Sequence, residues 1–344
     1  MFATIIATTL ALAALQDDTS AQQQPAGEAP VLRLDAAPQP TALPSDNDIV
    51  LRSAGEYAGY HRTLGDIRSR PITSGDDLDF TMDRLSAYLG EERLAQAWIA
   101  YASLIAEQHP EFLDDVRDVA DYYGRDVAIA GFLNDPAYAT AFRNSGAASQ
   151  SVLEVIEADS GEIREVGEQF RLAAYDLQSA RWANAVSRDR QARLAAIQIA
   201  GQRPLPPGLD MFSTQFVDSD HLGSASSEFS GLTAPSQAPA RSLSGPELAL
   251  EVGVAYEPDR VRVGRILSIA ALRAISSEST YSDEALTQLL ADPLAQRCLA
   301  WARINLEQCV AAGHFKYEDS FCIAQHALLD VSDCLQAAQT RQGG

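Results

Sequence analysis

Basic residues are scarce. The 344 residues carry 26 Lys and Arg against 47 Asp and Glu, a formal charge of −21. Phosphate contacts need an excess of Lys and Arg, so the balance excludes nucleic acid as a partner and adsorption on anionic lipid. Cysteine is limited to four positions and no Cys-x-x-Cys pair occurs. That excludes the thioredoxin-type redox motif and c-type haem attachment. Gly-x-Ser-x-Gly, a phosphate-binding glycine-rich loop, His-Glu-x-x-His and the dinucleotide fingerprint are all missing, so no motif marks a catalytic site or calls for a cofactor. A site assembled from distant residues leaves no such trace and stays open. The apolar opening, Phe2 to Leu15, makes about 21 Å of helix, too short for ~30 Å of hydrocarbon.

What is present is globular, with 46% apolar residues, enough for one large or two ordinary domains. The opening run fits the core of a secretory signal: Ala11, Ala13 and Ala14 offer a cleavage site, and Gln16-Asp17-Asp18 ends it, although no Lys or Arg precedes it. The competing reading is a buried amino-terminal helix. Residues 16–46, rich in Ala, Gln, Pro and Asp, give such a helix nothing to pack on and read as a disordered spacer. The expected partition is a signal over 1–15, the spacer over 16–46, a helical domain over 47–201, a Pro/Ser/Gly-rich linker or loop over 202–246, and a second helical region over 247–340 that can share one core with the first.

The body reads as all-α, an irregular multi-helix bundle. Ser74 and Asp77 have capping-box spacing ahead of Leu78, Met82, Leu85 and Leu89, and Gly90 stops that run. Leu94, Trp98, Tyr101 and Ile105 form a second helix up to Pro110. Phe112, Leu113, Val116, Val119 and Tyr123 form a third, ended by Gly124. A shorter piece holds Val127, Ile129 and Phe132, and Pro136 starts a further turn with Tyr138 and Phe142. Between Gln150 and Val186, Ile156, Ile163, Phe170 and Leu177 stand seven apart, with Val166, Ala173 and Ala180 at the offsets. This is one long core-facing helix of ~50 Å or, if Asp159 and Glu162 cap a new start, two. Glu154, Glu157, Glu162, Glu165 and Glu168 lie mostly off that seam and read as a solvated face. Further on, Val252, Val254 and Tyr256 alternate like a short strand, Arg260 to Ile275 is helical, and Ser282-Asp283-Glu284 starts another helix.

All four cysteines, Cys298, Cys309, Cys322 and Cys334, fall near the carboxyl end on two apolar runs. Gly313 is a natural helix terminator and Asp319 or Ser320 a natural N-cap, which makes a helix–turn–helix hairpin. Cys298 and Cys309 lie roughly 16 Å apart along one helix, beyond the ~7 Å that a disulfide spans. In an antiparallel hairpin, residues equidistant from the turn meet, and the pairs 298/334 and 309/322 have midpoints half a residue apart, both at the turn. The nested pairing Cys298–Cys334 and Cys309–Cys322 follows. Cys322 and Cys334 differ by about 120° around an ideal helix, so that helix must start late or bend. The pattern resembles the twin Cys-x9-Cys helical hairpins of mitochondrial intermembrane-space proteins over residues 298–334 alone, with spacings of ten and eleven here. The resemblance implies the same pairing and nothing about activity.

Cys309, His314, Cys322 and His326 offer an alternative Cys2His2 metal set. Export favours disulfides over thiolates, and the metal reading leaves Cys298 and Cys334 without a role. His61, His109 and His221 lie far apart in weakly structured contexts; His61 can serve as a general base but no nucleophile accompanies it, and His109 suits a helix end. Every positive signal concerns folding and location. The expected function is therefore that of a non-catalytic exported protein, periplasmic or secreted: a scaffold, adaptor or binding module in a bacterial cell envelope. Its partner is a protein or envelope component. The alternative is an envelope hydrolase with carboxylates as acid and base.

Overall fold

The computed structural model describes residues 48–90, 93–187, 189–205, 222–229, 257–275 and 283–336. The signal, the spacer, most of the 202–246 linker, His221, the 252–256 alternation and Ser282 lie outside the described residues. Among those described, secondary structure is helical apart from one isolated bridge. No described helix is long and apolar enough to cross a membrane.

Helix α3 (Arg93–Ala106) forms the centre. Every residue from Leu94 to Ala106 except Gln96 is buried. It is apolar on all sides, so other helices must surround it. Its many alanines let α1 (Ile49–Ser69) lie close along one side. The Asp48 carboxylate accepts from the Val50 and Leu51 amides to cap α1, and also pairs with Arg273. Helix α2 (Gly75–Tyr88) starts at a complete capping box: the Ser74 hydroxyl accepts from the Asp77 amide, and the Asp77 carboxylate accepts from the Ser74 amide.

Pro110 opens α4 (Pro110–Tyr123), and Gly124, at φ 96°, turns the chain into α5 (Arg125–Asn134). That left-handed backbone strains any residue with a Cβ. A 3₁₀ turn (Tyr138–Ala141) follows. The chain then enters α6 (Ser145–Leu177), a single 33-residue helix. Asp159 and Glu162 start no new helix there; their side chains are used across the interior. Helix α7 (Arg190–Gln202) crosses α2 so closely that a Cβ on Gly90 would lie 1.7 Å from the Gly201 carbonyl oxygen.

A short helix, α8 (Ala225–Phe229), sits on α1 and α6. Helices α9 (Glu257–Ile275) and α10 (Asp283–Leu290) pack against α3. Buried Ile266, Leu267, Ile269 and Leu272 of α9 join Trp98, Tyr101 and Phe112 in one hydrophobic cluster. The two helical stretches separated by the linker thus share a core.

Helix α11 (Pro293–Ala312) is the outgoing arm of the cysteine hairpin, with Asp292 capping the Leu294 and Ala295 amides. The return arm neither starts late nor takes Asp319 or Ser320 as its cap. It starts at Tyr317 and runs as α12 (Tyr317–Cys322), a π-helical segment (Ile323–Leu329) and α13 (Asp330–Leu335). A π ladder bonds i to i+5 and takes in one more residue per turn. Each of its residues advances roughly 17° less than an α residue, so seven of them absorb about 120°. That brings Cys322 and Cys334 onto one face. Cys298 is bonded to Cys334 and Cys309 to Cys322, with Cα atoms 5.5 and 5.7 Å apart.

The return arm is seated on α6. A Cβ on Gly167 would lie 2.8 Å from a Leu329 methyl, so the arm needs glycine there. The Ser320 hydroxyl donates to the Phe170 carbonyl at 2.9 Å, and the Ser332 hydroxyl to the Ser160 carbonyl at 2.8 Å. The hairpin turn is tied to residues 183–187: the Ser187 amide donates to His314 O at 2.8 Å and the Tyr317 amide to Ala183 O at 3.0 Å.

Candidate functional site

An open groove of about 400 Å³ lies between α2, α7 and the hairpin. Its floor is apolar, with Met82, Ala192, Ala196, Ile197 and Val310. Its rim holds Asp79, Asp83, Asp189, Asp319 and Arg193. Each of these carboxylates is committed. Lys316 pairs with Asp79 and Asp319, Arg193 with Asp319, and Arg203 with Asp83. Asp189, in the left-handed region at φ 56°, caps α7 by accepting from the Ala192 amide at 3.0 Å. Burial lifts the Asp319 carboxyl above its usual range, and Lys316 and Arg193 offset part of that rise. The groove can hold an apolar side chain among fixed charges.

A second polar feature lies inside the bundle. His61 is fully buried at the middle of α1, in a regular helix rather than a weakly structured stretch. Its Nδ1 lies 2.9 Å from Glu162 Oε2 on α6, a geometry in which Nδ1–H donates. The Tyr57 and Tyr60 rings flank the imidazole at 4.7 and 5.5 Å. His61 Nε2, Glu162 Oε1 and the Tyr60 hydroxyl have no hydrogen-bond partner among the described residues. Burial, and then the Glu162 charge, push the Tyr60 phenol well above its usual range. Burial followed by Asp159 does the same to Tyr57 and Tyr101. Glu162 is thus no part of a solvated face, unlike the exposed Glu154, Glu157 and Glu165.

Asp159, one turn before Glu162, is 1% exposed. Its carboxylate accepts from the Ser226 amide at 2.8 Å and the Ala225 amide at 3.3 Å. Nearby, Gln108 grips Leu222 from both sides: Nε2 donates to Leu222 O and Oε1 accepts from Leu222 N, each at 3.0 Å. The Tyr101 hydroxyl donates to Gly223 O at 2.8 Å. Three side chains on or beside α3 and α6 therefore hold the backbone of residues 222–226.

No family model, no curated protein and no solved structure matches this chain. The alternative Cys2His2 set does not assemble: both sulfurs, Cys309 and Cys322, are joined to each other. His326 Nδ1 is 2.8 Å from Asp330 Oδ2, and His314 lies in the turn, its amide donating to Glu318 at 2.6 Å. Burial would raise the Asp330 carboxyl, but the bonds from His326 and Gln325 hold it below its usual value. His109 is the N-cap position of α4, at a helix end as its sequence context suggests.

Proposed function

We propose that this is an exported, non-catalytic helical protein that binds a partner, a protein or another envelope component, in a bacterial cell envelope. The commitment of every groove carboxylate to a cation or a helix cap carries this reading. Acid–base hydrolysis needs two carboxyl groups free to trade protons with a substrate, whereas Asp79, Asp83 and Asp319 are neutralised by Lys316, Arg203 and Arg193. An apolar floor within a charged rim suits the anchoring side chain of a partner. The apolar opening and the two disulfides support export, because such bonds persist in oxidising compartments.

Two measurements test the proposal. Mass spectrometry of the native protein is expected to find its amino terminus near residues 14 to 17; an intact Met1 on a cytosolic protein would overturn export. A photo-cross-linking residue at Ala196, on the groove floor, is expected to capture one defined envelope partner, and Ile197→Asp is expected to abolish the capture. Turnover of an envelope substrate by the purified protein, lost in Asp319→Asn, would favour the hydrolase.

A further inference from the structure

The hold on residues 222–226 differs from ordinary loop packing. Five hydrogen bonds reach the segment's backbone, all from side chains at least 66 residues away in sequence. Gln108 satisfies both backbone groups of one residue, as a neighbouring strand would. Asp159 then caps the first turn of α8, as an N-cap residue would. The segment's own contribution is small: buried Leu222, Ala225 and Ser226, with Gly223 between. A Cβ at 223 would come within 2.9 Å of Glu228 Oε1, the free end of a side chain that can turn aside. Next to Leu222 an open cavity of about 240 Å³ continues along α6, lined by Ile105, Val155 and Ala158. On the carboxyl side the chain goes on as SGLTAPSQAPARSLSGP, a sequence with little to bury. A site that reads backbone groups and small side chains recognises a peptide, whichever chain supplies it.

We propose that Tyr101, Gln108 and Asp159 form a peptide-binding cradle, that residues 222–229 fill it in cis, and that a partner protein's peptide of the same class displaces them. The class is a leucine whose backbone N–H and C=O are both free to bond a side-chain amide, then glycine, then a helical turn of Ala and Ser. The covalent tether gives the cis segment a high effective concentration, so only a partner presented at comparable concentration, or a weakened cis segment, opens the cradle. This deepens the binding reading and rests on it. The cradle and the α2/α7 groove are separate, so each can fail alone.

The test uses the full chain and a fluorescein-labelled synthetic peptide, SDHLGSASSEFS, covering residues 219–230. Leu222→Asp with Ala225→Asp releases the cis segment and leaves the cradle intact. Fluorescence anisotropy is expected to show at least tenfold tighter binding to this variant than to the wild type. Adding Gln108→Ala is expected to remove the gain, and a peptide with Asp in place of its Leu is not expected to bind. Equal binding to wild type and released variant would overturn the proposal. So would a wild-type dimer that dissociates in the released variant, since a second copy would then fill the cradle. Should the released variant fail to fold, hydrogen exchange on the wild type decides. The Ala225 and Ser226 amides are expected to exchange at least tenfold faster than the core amides of α3, and faster still with excess peptide. Exchange as slow as that of α3 would make the segment part of the core. Capture at Ala196 is expected to be unaffected, which separates failure here from failure of the binding reading.

Discussion

The return arm of the stapled hairpin and the segment on the cradle are both helical pieces laid on α6, and they are held by opposite means. The hairpin is fixed by two covalent bonds that act on the unfolded chain, removing states it could otherwise visit. Residues 222–229 are fixed by hydrogen bonds to their backbone, which act only in the folded state and can be exchanged for others. One attachment is permanent, the other replaceable. Their common platform is the same helix, with Gly167 and the Ser160 and Phe170 carbonyls serving the hairpin and Asp159 serving the segment.

The sharpest way to break this contrast is to remove the outer staple. On the chain-entropy argument, closing the 36-residue loop between Cys298 and Cys334 contributes about 4 kcal/mol and the 13-residue inner loop about 3 kcal/mol. Cys298→Ser with Cys334→Ser is expected to lower stability by about that amount in urea unfolding, with the far-ultraviolet helical signal retained. The pairing itself has a direct check, because Lys316 is the chain's single lysine and lies between the two arms. A lysine-specific protease is expected to cut the denatured, unreduced chain once and leave the two fragments joined until reductant is added. Fragments that part without reductant would refute the nested pairing.

The non-covalent side is probed by Glu162→Ala. It leaves the buried His61 Nδ1–H without its acceptor, and a loss of about 2 kcal/mol is expected in the same measurement. Cys298→Ser/Cys334→Ser and Glu162→Ala are expected to add when combined, because they act on different states of the chain. A strong departure would mean that the two regions unfold separately.

The smallest effects belong to the amino end of α2, which serves as a control for both regions. Ser74→Ala is expected to cost about 1 kcal/mol, the usual value of an N-cap. Asp77 there titrates at about 2, below its ordinary 3.8, because the Thr73 amide and then the Ser74 and Thr73 hydroxyls donate to its carboxylate. A depressed folded-state pKa adds stability above the unfolded value that is lost as pH falls through the folded one. Protection of the Ser74 and Asp77 amides is therefore expected to decline between about pH 4 and pH 2, which an NMR titration reads directly.

These regions also differ in how far the sequence discloses them. The hairpin was legible because its information is local: four cysteines, one glycine stop and distances to one turn that match to within a residue. Helices α2 to α5 were legible from the capping box at Ser74, from Pro110 and from Gly124, each with a fixed mechanical role. Helix α1 leaves only a weak periodic signal, because its buried face mixes Val50, Leu64 and Ile67 with Ala54, Gly55, Ala58 and His61, which dilutes the apolar period. The cradle was invisible because Gln108, Asp159 and Gly223 meet only after folding. Asp159 did leave one trace. It occupies the seam position between Val152 and Val166, seven residues from each, where an unpaired carboxylate would be expelled from a core. An acid at a core position of a long helix was the signal that something donates to it.

The π segment carries a record of a different kind. Cys298 and Cys309 are eleven steps apart on a regular α-helix, whereas Cys322 and Cys334 are twelve apart on the arm that answers it. The return arm is one residue too long for its partner. An arm with eleven steps would pair in plain α-helix, and the i+5 ladder is what lets twelve do so. The surplus is spread over seven residues rather than ejected as a bulge; the sulfur bonds at Cys322 and Cys334, on either side of the segment, fix the register, and Gly167 of α6 packs on its last two residues, Leu328 and Leu329. The hairpin thus behaves as a ruler that has absorbed an insertion: any single-residue deletion confined to 323–329 is expected to restore matched spacings of eleven, while one between Cys298 and Cys309 would widen the mismatch.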